Sequence, residues 1–199
     1  MIARGGRAFV AAGAAGSALA LPFSTAGSIA LVTFTAFLAF VFRDPRRVSG
    51  EGIVAPADGI VREVDPERGL ISTYLALRNV HVTRVPVDGT IESTLKSKGG
   101  HAPAFSKKVE RNERVDVRLR TSIGTVDVVL MAGALARRIV PYIGAGEVRR
   151  KGDRLGLIRF GSRVDLYLPN DRVRILVEKG QRIRAGVTMV AEVLDGNAG

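Results

Sequence analysis

The chain has 199 residues, no cysteine, no tryptophan and two histidines, and 30 Lys+Arg against 19 Asp+Glu give it a formal charge of +11. That length can bury one core of ordinary size. The missing cysteines exclude disulfides, thiolate metal sites and a thiol nucleophile, and His81 and His101 alone leave little for a multi-histidine centre, so no metal is expected.

The basic excess points to an anionic partner, nucleic acid or an acidic lipid surface. Its distribution separates the two. Ala8–Phe42 is a run of 35 residues without a charge, interrupted by Pro22. One bilayer crossing takes roughly 20 apolar helical residues, so the run is long for one span and short for two. Gly27–Phe42 is rich in Ile, Leu, Val and Phe, whereas Ala8–Leu21 is mostly Ala and Gly. The pattern predicts a membrane-associating N-terminal segment over residues 1–42. It forms either a tight helical hairpin turning near Pro22-Phe23-Ser24, or one span preceded by an interfacial helix. A cleaved signal peptide fits worse, because the run is too long and ends at Phe42-Arg43-Asp44-Pro45-Arg46-Arg47 in the manner of a stop anchor. Arginines flank the run at both ends, and positive flanks favour the cytoplasm. The expected location is therefore the cell membrane, with residues 43–199 on the cytoplasmic side.

Residues 1–42 hold two arginines and no acid, which leaves 28 basic and 19 acidic residues beyond them, a charge of +9. Basic residues near an anionic bilayer contribute about 1 kcal/mol each. Nucleic acid is not an expected partner. The later aromatics, Tyr74, Phe105, Tyr142, Phe160 and Tyr167, are not interleaved with basic runs.

From Gly52 onward short β-branched runs alternate with Gly, Pro, Asp and Asn. Strands are predicted at Gly59–Val64, Val115–Leu119, Thr125–Leu130 and Arg172–Val177, with the period of two that marks half-buried strands. One short helix is predicted around Ala134–Tyr142, curtailed by Pro141. Many short strands imply a sandwich or barrel. Residues 52–61 and 177–186 share a cadence of strands around Gly turns that resembles the hammerhead turns of biotinyl/lipoyl-type domains. The expected fold class is mainly β, a barrel-sandwich-hybrid-like domain with few short helices. The same cadence supports a non-enzymatic alternative, a membrane-tethered carrier modified at Lys179, although Lys179 lacks the flanking methionines usual for that role.

Chemistry concentrates at Gly161-Ser162, between the apolar runs Leu157–Phe160 and Val164–Leu166. Gly161 can adopt backbone angles barred to other residues, and a serine beside a distorted carbonyl can attack it. Taken alone, Gly-Ser is a common turn dipeptide.

Seven segments in order widen the signal: Phe42-Arg43-Asp44-Pro45-Arg46-Arg47, Pro56-Ala57-Asp58-Gly59, His81 through Gly89, Asn112-Glu113-Arg114, Gly133 through Ile139, Gly152-Asp153-Arg154-Leu155-Gly156, and Phe160 through Asp165. Over nearly its whole length the chain resembles the short, membrane-associated form of the phosphatidylserine decarboxylase family. The resemblance implies a proenzyme that cleaves itself at Gly161-Ser162 into residues 1–161 and 162–199, which stay associated. Ser162 would become an N-terminal pyruvoyl cofactor, forming a Schiff base with the serine headgroup and releasing CO₂ to give phosphatidylethanolamine. It further implies His81 as the base for Ser162 and Asp58 as the carboxylate orienting His81, with the logic of a serine triad. Expected partners are a membrane phospholipid and an anionic membrane surface, with homo-oligomerisation left open. A diacyl lipid and an archaeal ether-linked serine lipid present the same headgroup. The sequence departs from larger family members in two places: Arg163 replaces the Thr of Gly-Ser-Thr, as in the short form, and Arg84 stands where a second histidine would be. It departs from short forms at Thr83, where they usually show Asn. His101, in Gly99–Pro103, reads as a loop residue.

Overall fold

A computed structural model describes residues 1–100, 102–103, 106–134, 138–159 and 161–194. The chain divides into two compact units, Met1–Arg46 and Arg47–Gly199. The division falls beyond the expected 42/43 boundary for a local reason. Ala3 N–H donates to the Phe42 carbonyl, Asp44 N–H donates to the Met1 carbonyl, and Ile2 bridges Arg43, so residues 43 and 44 stay with the N-terminus.

The first unit contains α1 (Arg7–Ala20) and α2 (Thr25–Val41). Ser24 caps α2 by accepting the Gly27 N–H at 3.1 Å, which satisfies one of the donors that a helix start leaves open. Small residues bring the helices close: Ser28 Oγ donates to the Ser17 carbonyl at 2.9 Å, and a Cβ on Gly13 would lie 2.4 Å from Thr35 Oγ1. At 1.5 Å per residue the longer helix reaches about 25 Å, short of a hydrocarbon core of about 30 Å. Among the described residues no helix is long and apolar enough to cross a membrane. The expected spanning segment is thereby corrected to two short helices. They leave Leu19, Leu21, Phe23, Ile29, Val32 and Phe34 exposed.

The second unit is mainly β, as its alternating sequence predicts. Its strands run β1 (Ile53–Val54), β2 (Gly59–Asp65), β3 (Leu70–Leu75), β4 (Val82–Arg84) and β5 (Gly89–Ser97). They continue with β6 (Arg114–Thr121), β7 (Gly124–Ala132), β8 (Ile139–Pro141), β9 (Val148–Arg149) and β10 (Arg154–Ile158). The last four are β11 (Ser162–Tyr167), β12 (Val173–Ile175), β13 (Arg182–Ile183) and β14 (Met189–Val193). An eight-stranded antiparallel sheet has the order β13-β2-β3-β11-β7-β6-β5-β9, and two three-stranded sheets have the orders β1-β14-β12 and β4-β10-β8.

Side-chain alternation builds the core. In β6 Val115, Val117 and Leu119 are buried while Arg118 and Arg120 face out, and β7 repeats this with Val126, Val128 and Leu130. Val61, Ile71, Leu75, Val164 and Leu166 extend the same cluster. Each such side chain contributes about 1.5–3 kcal/mol on burial.

The two stretches of shared cadence lie against each other. Arg182 pairs with Ile60 and Ile183 with Gly59, and Gly186 N–H donates to the Ala55 carbonyl at 2.8 Å. The predicted helix around Ala134–Tyr142 is a correction. Ile139–Pro141 is strand β8, paired with β10, and residues 135–137 lie outside the described residues. Ile139 and Val140 favour extended backbone, and β8 is an edge strand, where a proline without an N–H is tolerated.

Candidate active site

Ser162 opens β11, and β11 lies between β3 and β7 in the large sheet. The register sets Ser162 opposite Leu75 on one side and Ala132 on the other. It is fully buried, and its Oγ has no hydrogen-bond partner among the described residues. A buried orphan hydroxyl costs about 1–3 kcal/mol, so this position is held at the expense of stability.

Gly161 immediately before it has φ +59°. A residue with a side chain loses roughly 1–2 kcal/mol in that left-handed region. A Cβ here would meet nothing within 4 Å, so conformation rather than space selects glycine. Both polar atoms of Gly161 are engaged. Its N–H donates to His81 Nε2 at 3.2 Å, and its carbonyl accepts the Gly133 N–H at 3.0 Å.

His81 arrives through the neighbouring small sheet. It directly precedes β4, which pairs with β10, and its own carbonyl accepts the Ile158 N–H at 3.1 Å. Backbone and side chain of one buried residue thus hold both ends of the segment 158–161. As an acceptor from Gly161, Nε2 carries a lone pair, the state required of a base.

The loop that supplies Gly133 is pinned by Asn112 and Glu113. Asn112 Nδ2 donates to the Ala132 carbonyl at 2.7 Å, and the Glu113 carbonyl accepts the Ala132 N–H at 2.9 Å. Glu113 Oε1 accepts the Ile139 N–H at 3.2 Å, closing the far end of the loop.

Asp58 is buried, and its carboxylate meets Arg47 and Ala185. Arg47 Nη1 and Nη2 donate to its two carboxylate oxygens at 2.5 and 2.8 Å, and the Ala185 N–H donates to Oδ1 at 2.8 Å. Arg47 also donates to the Ala185 carbonyl at 2.7 Å. Asp58 therefore ties residues 47, 58 and 185 together. The guanidinium binds the carboxylate in a bidentate fork, a geometry suited to Arg–carboxylate pairs.

The departures at positions 83, 84 and 163 are also accounted for. Thr83 Oγ1 donates to the Gly156 carbonyl at 3.1 Å, and Arg84 Nη1 donates to the Gly152 carbonyl at 2.8 Å, both within structure around β10. Arg163 Nε donates to Asp165 at 2.7 Å, and Glu110 and Glu63 lie at 3.7 and 3.9 Å. Burial works against the Arg163 charge, but the hydrogen bond and field of Asp165, with the fields of Glu110 and Glu63, outweigh it and raise its pKa. Burial, reinforced by Asp165, raises the pKa of the Tyr167 phenol at the far end of the same strand. The residue after Ser162 is thus anchored to β2, to the 3₁₀ turn Lys107–Arg111 and to its own strand. His101 and Phe160 lie outside the described residues. Among those described, no group of three or more His, Cys, Asp or Glu side chains could hold a metal.

The family model for phosphatidylserine decarboxylase matches residues 34–191. The chain belongs to the phosphatidylserine decarboxylase family. It is accordingly a carboxy-lyase of that family. Among its relatives is a candidate archaetidylserine decarboxylase proenzyme of Halobacterium salinarum, 48% identical over 178 residues, which cover 86% of this chain and 89% of the relative. A phosphatidylserine decarboxylase proenzyme of Streptomyces avermitilis is 43% identical over 167 residues, covering 82% and 77%. A candidate archaetidylserine decarboxylase proenzyme of Methanosarcina acetivorans is 38% identical over 205 residues, covering 97% of both chains.

Around these residues the structure shows contacts that sequence reasoning missed. They are the Arg47 clamp on Asp58, the Gly133 N–H on the Gly161 carbonyl, and the hold of Asn112 and Glu113 on residues 132 and 139. Arg47, Asn112, Glu113 and Gly133 all lie in segments carrying the resemblance, which is the one signal that could have singled them out.

Proposed function

We propose that the chain is a proenzyme that cleaves itself between Gly161 and Ser162 and then decarboxylates a serine phospholipid to its ethanolamine counterpart. The observation that carries this reading is the buried, unpartnered Ser162 hydroxyl beside a left-handed glycine whose N–H meets a histidine and whose carbonyl meets a backbone N–H. Ser162 Oγ attacks the Gly161 carbonyl carbon, His81 accepts the hydroxyl proton, and the amide becomes an ester. Loss of the Ser162 α-proton with rupture of the Cβ–Oγ bond forms a Cα=Cβ double bond and releases a chain ending in the Gly161 carboxylate. The resulting enamine tautomerises to an imine, whose hydrolysis frees ammonia and leaves a carbonyl on residue 162.

The site fits a pyruvoyl group, because residue 162 is buried at a strand start and Arg163 anchors the end that cleavage would free. The pyruvoyl carbonyl supplies an electrophile able to take up the electrons that a departing carboxylate leaves, a capacity no ordinary side chain has. The chain's own residues then have defined tasks: β3 and β7 hold residue 162 in place, and His81 moves protons beside it. Asp58 acts at a distance, by keeping residues 47 and 185 together.

A phospholipid substrate requires access to a bilayer surface. The +9 charge of the later residues and the exposed apolar side chains of α1 and α2 support contact with an anionic membrane on its cytoplasmic side, lying on it rather than crossing it. The relatives' names include both diacyl and archaeal lipid substrates, and the shared serine headgroup is the chemistry proposed here.

Mass spectrometry of the purified protein tests the reading. The expected result is a fragment of residues 1–161 and a blocked fragment of 38 residues, 162–199, together with CO₂ release from a serine-labelled phospholipid. An intact chain with a free Ser162 would overturn it, and added mass on Lys179 without cleavage would support a carrier instead. A second expectation concerns the base. His81→Ala should slow self-cleavage by about 10²–10⁴-fold, the usual contribution of a positioned base. Cleavage at the normal rate in that variant would remove His81 from the role.

A further inference from the structure

The peptide bond joining Ala132 and Gly133 is hydrogen-bonded on both sides. Its N–H donates to the Gly161 carbonyl at 3.0 Å, and its C=O accepts from Asn112 Nδ2 at 2.7 Å. Asn112 is 2% exposed, and its carboxamide is otherwise bound to the backbone of Ala102, accepting the N–H and donating to the carbonyl, both at 2.7 Å. Its position is therefore fixed from two directions. Beside it, Glu113 holds the Ala132 N–H and, through Oε1, both the Ile139 N–H and Lys96 Nζ at 3.1 Å. The result is a continuous line from a buried amide side chain, through one backbone peptide, to the carbonyl oxygen of Gly161.

We infer that the 132–133 peptide is the oxyanion donor of self-cleavage, and that Asn112 is the positioning residue that aims and polarises it. The inference rests on Gly161-Ser162 being the scissile bond. In the step concerned, Ser162 Oγ forms a bond to the Gly161 carbonyl carbon, and its proton passes to His81 Nε2. The π pair of the carbonyl moves onto its oxygen, the atom that the Gly133 N–H already faces. Collapse of that oxyanion breaks the C–N bond, and the proton moves to the Ser162 nitrogen. The products are an ester and a free amine within one chain, with no electrons gained or lost.

Negative charge grows on only one atom in this step, the Gly161 oxygen. A donor preorganised there stabilises the transition state more than the ground state. A hydrogen bond accepted at one end of a peptide strengthens its N–H as a donor at the other, which is how Asn112 acts without touching the reacting atoms. Asn112 also prevents the 132–133 peptide from rotating, because a turned peptide would lose a bond within the buried site.

The test compares self-cleavage rates of freshly synthesised full-length chains. Replacing the Gly133 amide by an ester, through translation with glycolic acid, deletes the N–H alone and should slow cleavage by about 10²–10³-fold, the effect of losing one oxyanion donor. Asn112→Asp keeps the acceptor for Ala102 N–H and loses both donors, and it should slow cleavage by at least about tenfold. Adding hydroxylamine, which severs esters, should not restore cleavage in Asn112→Asp, because the block precedes the ester; the Gly133 ester variant, which hydroxylamine would cut at its own 132–133 ester, is followed by rate alone. The same Asn112→Asp change in a Ser162→Ala background reports folding separately. If its melting temperature stays within a few degrees of that background, slow cleavage is chemical rather than structural; if the fold is lost, the Gly133 ester substitution alone decides. Cleavage at the wild-type rate with the Gly133 ester would overturn the inference, as would a hydroxylamine-labile ester at 161–162 accumulating in Asn112→Asp. A wild-type chain that never cleaves would instead refute the underlying reading of Gly161-Ser162.

Discussion

Ser162→Ala is expected to abolish self-cleavage completely and decarboxylation with it, while leaving a chain at least as stable as the uncleaved wild type. The two halves of this expectation come from one observation. The Ser162 hydroxyl is fully buried and unpartnered among the described residues, so a methyl group in its place removes a desolvation cost without breaking a hydrogen bond. The gain should be at most about 1–3 kcal/mol. Without Oγ there is no intramolecular nucleophile for the Gly161 carbonyl, and the zero-cysteine sequence offers no thiol substitute. Electrophoresis and intact mass should show only the 199-residue chain, with a melting temperature equal to or above that of an uncleaved reference such as His81→Ala. Two fragments from Ser162→Ala would mean that the scissile bond lies elsewhere.

The second large effect is on stability. Asp58→Ala should destabilise the second unit by about 3–5 kcal/mol, because it leaves the Arg47 guanidinium buried without its counter-charge. The Arg47 and Asp58 side chains are only 5% and 10% exposed, so solvent screens little of that loss. For a chain of this size, about 2–4 °C per kcal/mol translates the loss into a fall of roughly 6–20 °C in melting temperature. Both are measurable in the Ser162→Ala background, where cleavage does not intervene. The double variant Arg47→Met/Asp58→Leu should recover much of the loss, since apolar replacement of a buried pair is often neutral. A triad role for Asp58 makes the opposite forecast: normal stability, with cleavage lost and not recovered in the double variant. The contacts of Asp58 with Arg47 and Ala185 are the observation behind the first.

Much of the fold was legible because a strand's two faces meet different solvents. Val115, Val117 and Leu119 alternate with Asp116, Arg118 and Arg120, and that period of two survives into the sheet unchanged. The helix expected near Ala134–Tyr142 failed where a short window of helix-compatible residues ran into Ile139-Val140. A β10 partner waiting across the fold decided that segment. The length of the apolar N-terminal run left open a helical turn near Pro22-Phe23-Ser24 or a single span, because length alone does not reveal where a helix stops. Pro22 and the Ser24 cap divide the run into helices of 14 and 17 residues.

The site divides in the same way. The order of seven short segments sufficed to single out Gly161, Ser162 and His81, because residue types that do chemistry are properties of the chain. Which groups they meet is a property of the packing. Asp58, for example, meets Arg47, 11 positions before it, and Ala185, 127 positions after it. The Gly133 N–H carries no side chain at all, so no residue type could announce it. What the sequence determined by itself about this protein is its charge, its lack of thiols, its alternating strands and the Gly-Ser pair that belongs to its family. Only the tertiary structure decided the partners of that pair, because hydrogen bonds between residues 81 and 161, or 133 and 161, exist only after the sheets have closed.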